Sequence, residues 1–165
     1  QLVQGTVFHP QEGKWALTGT HVAVILQEGN ETYLLDTGFG ANLPLKPVPF
    51  TGEAVSSKTG VYRIRKAKTE KGDYLLEMDK GKGWQTGYAF TLEPIDEAVL
   101  ADVRDAIFDH EDSPFNKNPL ASKLTKDGKL ILSKDHFTKH ADGGISKEAI
   151  QQEEFRKIFE DAFFD

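Results

Sequence analysis

Thr20-His21-Val22-Ala23-Val24-Ile25-Leu26-Gln27-Glu28-Gly29-Asn30-Glu31-Thr32-Tyr33-Leu34-Leu35-Asp36 is the stretch on which the fold turns. Two short apolar runs, residues 22–26 and 32–35, flank a polar segment that holds Gly29 and Asn30. Gly and Asn tolerate the positive φ that tight turns demand, so the stretch predicts a β-hairpin. A turn centred on Glu28 and Gly29 sets Leu26 opposite Glu31, Val24 opposite Tyr33, Val22 opposite Leu35 and His21 opposite Asp36. Directly opposed residues have Cβ atoms about 4.5–5.5 Å apart, a spacing at which a carboxylate accepts a hydrogen bond from an imidazole N–H. A slip of one residue would turn the two side chains to opposite faces.

If the pair forms, the carboxylate fixes the tautomer and orientation of His21 and stabilises its imidazolium. The other ring nitrogen is then left to take a proton from a nucleophile. The plain alternative is a cross-strand His–Asp contact with no chemistry. Thr37-Gly38-Phe39-Gly40 follows at once, a Gly-aromatic-Gly turn after an apolar strand. Glycines there permit tight backbone geometry and close approach of a ligand.

Outward from the hairpin the first part of the chain stays β-rich. Residues 2–8 alternate as a strand does. Pro44, Pro47 and Pro49 exclude a regular central strand, so residues 41–50 predict a loop. Residues 61–65 and 74–78 form a second hairpin around Lys71-Gly72-Asp73, and residues 84–92 predict a further strand. Beyond Pro94 the period changes. Asp96 is a plausible N-cap, and Val99, Val103 and Ile107 recur every four residues, giving a helix over 97–108. Residues 109–119 read as a polar loop. Residues 120–124 and 130–132 flank Asp127-Gly128, a hairpin cue, and His136-Phe137-Thr138 adds a strand. The last helix is expected over 147–164, capped by Ser146, with Phe155, Ile158, Phe159, Ala162 and Phe163 on one stripe. The fold class is α+β: a β domain over residues 1–95 and a smaller α/β part over 96–165.

Composition narrows the function. The 165 residues carry a net charge of −6, which argues against a nucleic-acid partner. The basic stretch 63–71 alternates with apolar residues and reads as a solvated strand face. No apolar run approaches the roughly 18 residues of a membrane span. The chain has no cysteine, which excludes disulfides, thiolate metal sites and a thiol nucleophile of its own, and which fits a cytoplasmic protein. His136 and His140 with Asp142 are metal-ligand types, but the segment lacks helical character and no metal is expected. Asp109-His110-Glu111-Asp112 reads as a solvated acidic loop. Lys80-Gly81-Lys82-Gly83 lacks the spacing of a phosphate loop. The first residue is Gln1 rather than Met and already belongs to a strand pattern, so a fragment is expected.

Thr20-His21 opening one apolar strand, with Asp36-Thr37-Gly38-Phe39-Gly40 ending the next, resembles the arylamine N-acetyltransferase family. Tyr62-Arg63-Ile64 is similar to that family's Tyr-Arg strand. Trp84, Tyr88, Phe90 and Pro94 match its Trp-x-x-x-Tyr-x-Phe-x-x-x-Pro stretch, and Ser113-Pro114-Phe115 its Ser-x-Phe loop. The resemblance implies a three-domain enzyme: an N-terminal helical domain holding the catalytic Cys, an antiparallel β-barrel domain, and a small α/β lid with a C-terminal helix. This chain corresponds to the last two. It implies His21 as base and Asp36 as orienting acid. Gly38, Phe39 and Gly40 become the wall of the pocket for the acceptor and acetyl-CoA, and Ser113 and Phe115 part of the lid near that co-substrate. Ping-pong acetyl transfer from acetyl-CoA to an arylamine or hydrazine follows, with the missing N-terminal domain as the partner that supplies the thiol. The chain alone is then expected to be inactive. The family's Arg-Gly-Gly-x-Cys segment is absent, and Gln4-Gly5-Thr6 stands where many members have an Arg. Phe163-Phe164-Asp165 ends the chain where members often show Phe-Gly-Ile. Two other readings compete. A transglutaminase-like or papain-like cysteine hydrolase uses the same Cys, His, Asp order, though Gly38-Phe39-Gly40 and the long α/β part disfavour it. A non-catalytic binding module would never have had the nucleophile.

Overall fold

In chain order the elements are β1 (Leu2–His9), β2 (Lys14–Trp15), β3 (His21–Glu28), β4 (Glu31–Leu35), β5 (Val48–Pro49), β6 (Val55–Ser57), β7 (Gly60–Thr69), β8 (Gly72–Asp79), β9 (Gln85–Pro94), α1 (Glu97–Asp109), β10 (Leu120–Thr125), β11 (Gly128–Ser133), β12 (His136–Ala141), β13 (Gly144–Ala149) and α2 (Gln152–Phe163). The computed structural model describes residues 1–141 and 144–164. They fall into two compact units, Gln1–Asp112 and Ser113–Asp165. The division lies after α1 rather than near residue 95. One physical tie runs across the composition change: Ile95 N–H donates to Leu2 O (3.0 Å), which carries the chain past β9 while still bound to β1.

The first unit is one antiparallel sheet in the order β5-β4-β3-β1-β9-β8-β7-β6, with β2 paired to β1. β5 returns beside β7, so the sheet curls into a nearly closed barrel. Its interior is filled from alternate positions: Val3 of β1, Ala23 and Ile25 of β3, Leu34 of β4, Tyr62 and Ile64 of β7, Leu76 and Met78 of β8, Tyr88 and Phe90 of β9. That is the period of two that a half-buried strand imposes. Full burial of each large side chain contributes about 1.5–3 kcal/mol. The proline-rich loop helps close the barrel: Phe50 sets its ring edge-on to Tyr74 and Phe90, with centroids at 5.4 and 6.1 Å. Pro49 falls in the two-residue edge strand β5, where a missing N–H costs least.

The β3–β4 hairpin forms, but in a different register from the one expected. Glu28 pairs with Glu31, Leu26 with Tyr33 and Val24 with Leu35. The turn is therefore the two residues Gly29-Asn30, with Gly29 at φ +60°, the glycine-first geometry that a tight two-residue hairpin favours. The register is shifted by two residues. An even shift keeps every side chain on its face, so His21 and Asp36 still share the barrel interior.

On β7, Arg63 and Arg65 alternate with the inward-facing Tyr62 and Ile64 and so lie on the outer face. Glu77 of β8 is buried on that outer face, where it accepts from Arg63 Nε (2.8 Å) and Arg65 Nε (2.7 Å). Arg63 also lies over the Trp84 ring at 4.1 Å. The carboxylate is buried while the two guanidiniums are partly exposed, so the two ways of breaking the cluster differ. Arg63→Ala with Arg65→Ala strands a buried charge and is expected to cost about 3 kcal/mol. Glu77→Gln frees cations that water can take up, and should cost about 1 kcal/mol. Urea unfolding of the two variants measures the difference.

The second unit is the sheet β10-β11-β12-β13 with α2. Its first hairpin pairs Thr125 with Gly128, so the turn is Lys126-Asp127. The long last helix is corrected. Residues 144–149 are an edge strand on β12, with Lys139 opposite Ser146, and α2 starts after Gln151. Pairing to an open strand edge overrides the helical reading, and Ile150 N–H to Asp135 O (3.0 Å) fixes where it stops. Gln151 and Glu154 form the capping box in place of Ser146: the Gln151 N–H donates to Glu154 Oε2 at 2.7 Å. The expected stripe is half-buried, and Phe137 of β12 meets Phe163 at 6.5 Å. Among the described residues no helix is long and apolar enough to cross a membrane.

Candidate active site

β3 begins at His21 because Gly19 and Thr20 are tied down just before it. Gly19 N–H donates to Thr6 Oγ1 (2.9 Å), Gln4 Nε2 donates to Gly19 O (2.8 Å), and the Thr20 hydroxyl donates to Leu17 O (2.9 Å). The backbone of His21 pairs with Gly5 of β1. Its ring turns into the barrel, and it is the one buried histidine among the described residues.

Asp36 is the first residue after β4. Continuing the β3–β4 register sets His21 opposite Gly38, whose position confirms it: a Cβ there would lie 3.7 Å from His21 Cε1. Asp36 therefore meets His21 diagonally, two residues from the direct partner, a reach that these side chains span. His21 Nε2 and Asp36 Oδ2 are 2.8 Å apart. Asp36 Oδ1 accepts from Gly38 N–H (2.8 Å), which makes residues 36–38 a side-chain-closed turn and aims the carboxylate inward. Its side chain has no solvent exposure.

Tyr88 of β9 completes the group. Its hydroxyl donates to the same oxygen, Asp36 Oδ2, at 2.8 Å. Its ring lies 4.4 Å from the His21 ring, and Phe39 lies 5.4 Å from His21 and 5.2 Å, edge-on, from Tyr88. Space for Phe39 depends on Gly87, where a Cβ would come 3.0 Å from Phe39 Cε1 and 3.2 Å from Leu76 O. Gly87→Ala is expected to destabilise the barrel by about 1–3 kcal/mol, read by thermal unfolding. Loss of the Phe39 ring-current shifts on His21 would report the local displacement.

Charge settles the proton positions. Burial alone would push Asp36 above the usual carboxylate range. The bond and charge of His21, the Gly38 N–H and the Tyr88 hydroxyl outweigh it and hold Asp36 below that range. Tyr88 is driven well above an ordinary phenol, by burial first and then by the Asp36 charge. At neutral pH Asp36 is therefore an acceptor only, Tyr88 a donor, and His21 must present Nε2–H to it. Nδ1 is left as the basic nitrogen.

The structure brings His21, Asp36, Gly38 and Phe39 together. Gly40 follows Phe39 and opens a short 3-10 turn over Gly40–Asn42. Ser113 belongs to the second unit, where its hydroxyl oxygen accepts from Phe115 N–H (3.3 Å) and caps the turn Pro114–Asn116. Among the described residues no group of three or more His, Asp or Glu is arranged to hold a metal. His136 and His140 lie on β12, and Asp142 lies outside the described residues. The residue that sequence reasoning missed is Tyr88, seen as part of a motif but given no role. Alternation with Phe90 marks it as inward-facing. Its bond to Asp36 needs β1 inserted between β3 and β9, which no local pattern reveals.

A family model described as N-acetyltransferase matches residues 1–164. An uncharacterized acetyltransferase of Bacillus subtilis, YvcN, is 54% identical over 144 residues, 87% of this chain and 57% of that protein. Probable arylamine N-acetyltransferase 2 of Dictyostelium discoideum is 34% identical over 148 residues, 75% of this chain and 49% of its own. Among solved structures, arylamine N-acetyltransferase C from Bacillus anthracis superposes with a TM-score of 0.94 at 42% identity, covering 98% of this chain and 64% of that one. The NAT3 arylamine N-acetyltransferase from Bacillus cereus, described as having a unique Cys-His-Glu catalytic triad, gives 0.92 at 46%, covering 96% and 62%. The chain thus spans between 49% and 64% of the length of these relatives. With the family match running from the first residue to the last described one, the chain belongs to the arylamine N-acetyltransferase family.

Proposed function

We propose that this chain supplies the base and the orienting acid of an acetyl-CoA-dependent arylamine N-acetyltransferase, and that the thiol comes from sequence outside these 165 residues. The observation that carries the reading is the buried His21–Asp36 bond of 2.8 Å, which leaves Nδ1 free, in a family member with no cysteine. A free thiol titrates near about 8.5 and is mostly protonated at neutral pH. An imidazole backed by a buried carboxylate removes that proton onto Nδ1 and gives a thiolate–imidazolium pair. The thiolate attacks the acetyl carbonyl of acetyl-CoA, the C–S bond to CoA breaks, and the imidazolium returns its proton to the departing CoA thiolate. An arylamine or hydrazine nitrogen then attacks the enzyme thioester, its N–H proton passes to His21, and the enzyme thiolate is released. Gly38, Phe39 and Gly40 form the wall beside the acceptor and acetyl group.

The test is acetyl transfer from acetyl-CoA to p-anisidine, followed as CoA release. The 165-residue chain is expected to show none. The protein carrying both this chain and the thiol is expected to turn over, with acetyl trapped on the thiol when no amine is present. Robust acetylation by the chain alone would overturn the reading, as would amide hydrolysis in place of acetyl transfer by the thiol-bearing protein.

A further inference from the structure

We propose that Thr59 and Lys80, both distant in sequence from the His21–Asp36 pair, are positioning residues of this site: they latch the turn that follows Phe39 and so hold the wall against which the acceptor amine is placed. The inference rests on the reading of Gly38, Phe39 and Gly40 as that wall, and it names what keeps the wall still.

The backbone after Phe39 makes a 3-10 turn and then an irregular stretch that holds Pro44 and Pro47, neither of which has an N–H to donate. Pro44 is fully buried and Leu43 packs against the core. Apolar packing is non-directional, so the exact seat of the turn depends on hydrogen bonds. Among the described residues, two such bonds join residues 40–46 to other parts of the barrel. The Thr59 hydroxyl donates to Leu43 O (2.5 Å), and Lys80 Nζ donates to Asn42 Oδ1. The turn passes both ties back to the wall: Asn42 N–H donates to Phe39 O (2.9 Å) and Leu43 N–H to Gly40 O (3.4 Å). The latch is itself held. Thr59 has one hydroxyl proton and gives it to Leu43, so the Ser57 hydroxyl 2.7 Å away must donate to Thr59. Thr59 N–H donates in turn to Ser57 Oγ (3.2 Å), which closes the turn between β6 and β7. Lys80 passes over that turn at Gly60, where a Cβ would lie 3.3 Å from Lys80 Cγ and 2.9 Å from Asp79 O. Two turns of the barrel thus converge on one short segment, through side chains that touch neither His21 nor Asp36.

The test is steady-state acetyl transfer to p-anisidine by the thiol-bearing protein, beside amide hydrogen exchange by NMR in the 165-residue chain. Thr59→Val keeps the side-chain shape and removes the hydroxyl. Lys80→Met keeps most of the stem and removes the ammonium. Each is expected to raise KM for p-anisidine by about 3–10-fold, the loss typical of one hydrogen bond, with kcat within about twofold because the base is untouched. Exchange of the Asn42 and Leu43 amides should quicken by about the same factor, while that of the buried Ala89 on β9 keeps the parental rate. Thr59→Ser restores the donor and should restore both readouts. Lys82 is an exposed cation two residues beyond Lys80, and Lys82→Met should change neither. Lys80 is exposed, so Lys80→Met keeps the test open where Thr59→Val does not fold. A folded latch variant with parental exchange at Asn42 and Leu43, or with a parental KM, would overturn the proposal, as would Thr59→Ser matching Thr59→Val. A thiol-bearing parent that acetylates no amine would sink the reading of the wall, and the exchange rates would still decide whether the two bonds hold the turn.

Discussion

His21→Ala in the thiol-bearing protein is expected to lower kcat/KM for acetyl transfer by about 10⁴-fold or more, the loss typical when the base of a nucleophile–base unit is removed. The chemistry needs one group to take the thiol proton, return it to departing CoA and take it again from the amine. His21 is the one buried histidine among the described residues, and its Nε2 is already committed to Asp36. Removing the imidazole leaves Asp36 buried, with the hydroxyl of Tyr88 and the Gly38 N–H as its remaining donors. A stability loss will accompany the kinetic one, because a buried carboxylate loses one of its three hydrogen-bond donors. The two effects separate under conditions where urea unfolding shows the variant folded: the rate should still be down by the full factor. His110→Ala serves as the matched control. Its Nδ1 accepts from the Asp112 N–H in an exposed loop (3.1 Å), and the rate should not change. A folded His21→Ala protein with a rate within tenfold of the parent would dismiss the imidazole as the base.

The strands were legible wherever apolar residues alternate, and the helix 97–109 was legible from Asp96 and its four-residue period. Asp96 does accept from Val99 N–H at 3.0 Å. Turn geometry was less so. A two-residue turn at Gly29-Asn30 and one centred a residue earlier use the same amino acids, and only the formed ladder distinguishes them. The His–Asp bond survived that error because the strand repeat is two and the shift was even. The C-terminal part was misread for a different reason. Residues 147–151 hold good helix formers, and propensity favoured helix. The open edge of β12 gave that backbone hydrogen bonds it would otherwise have had to find within a helical turn. Tyr88 marks the deeper limit. Its neighbours in space come from residues 36 and 21, placed by a sheet order in which β9 lies beside β1. Such an order is a property of the whole chain.

Asp36→Asn and Asp36→Glu should part company sharply. Asparagine keeps the shape but removes the charge that stabilises the imidazolium, and it can donate to Nε2 and select the wrong tautomer. A loss of about 10³–10⁴-fold in kcat is expected with little change in KM for the amine. Glutamate keeps the charge and adds a methylene to a side chain with no exposure, at a cost of about 1–3 kcal/mol in stability. Its activity should stay within about 10²-fold of the parent, since one extra methylene displaces the carboxylate by about 1 Å. The pH dependence of stability gives an independent sign. Asp36 in the folded chain titrates below its unfolded value, so its contribution is fully present above the ordinary carboxylate range and is lost as pH falls through the folded value. Asp36→Asn removes that component. Its unfolding free energy, from urea titrations between about pH 3 and pH 7, should therefore fall less steeply toward acid than the parent's. An Asn variant with parental kcat and a parental acid slope would mean that the carboxylate neither orients the base nor is held charged by it, and the site would have to be sought elsewhere in the barrel.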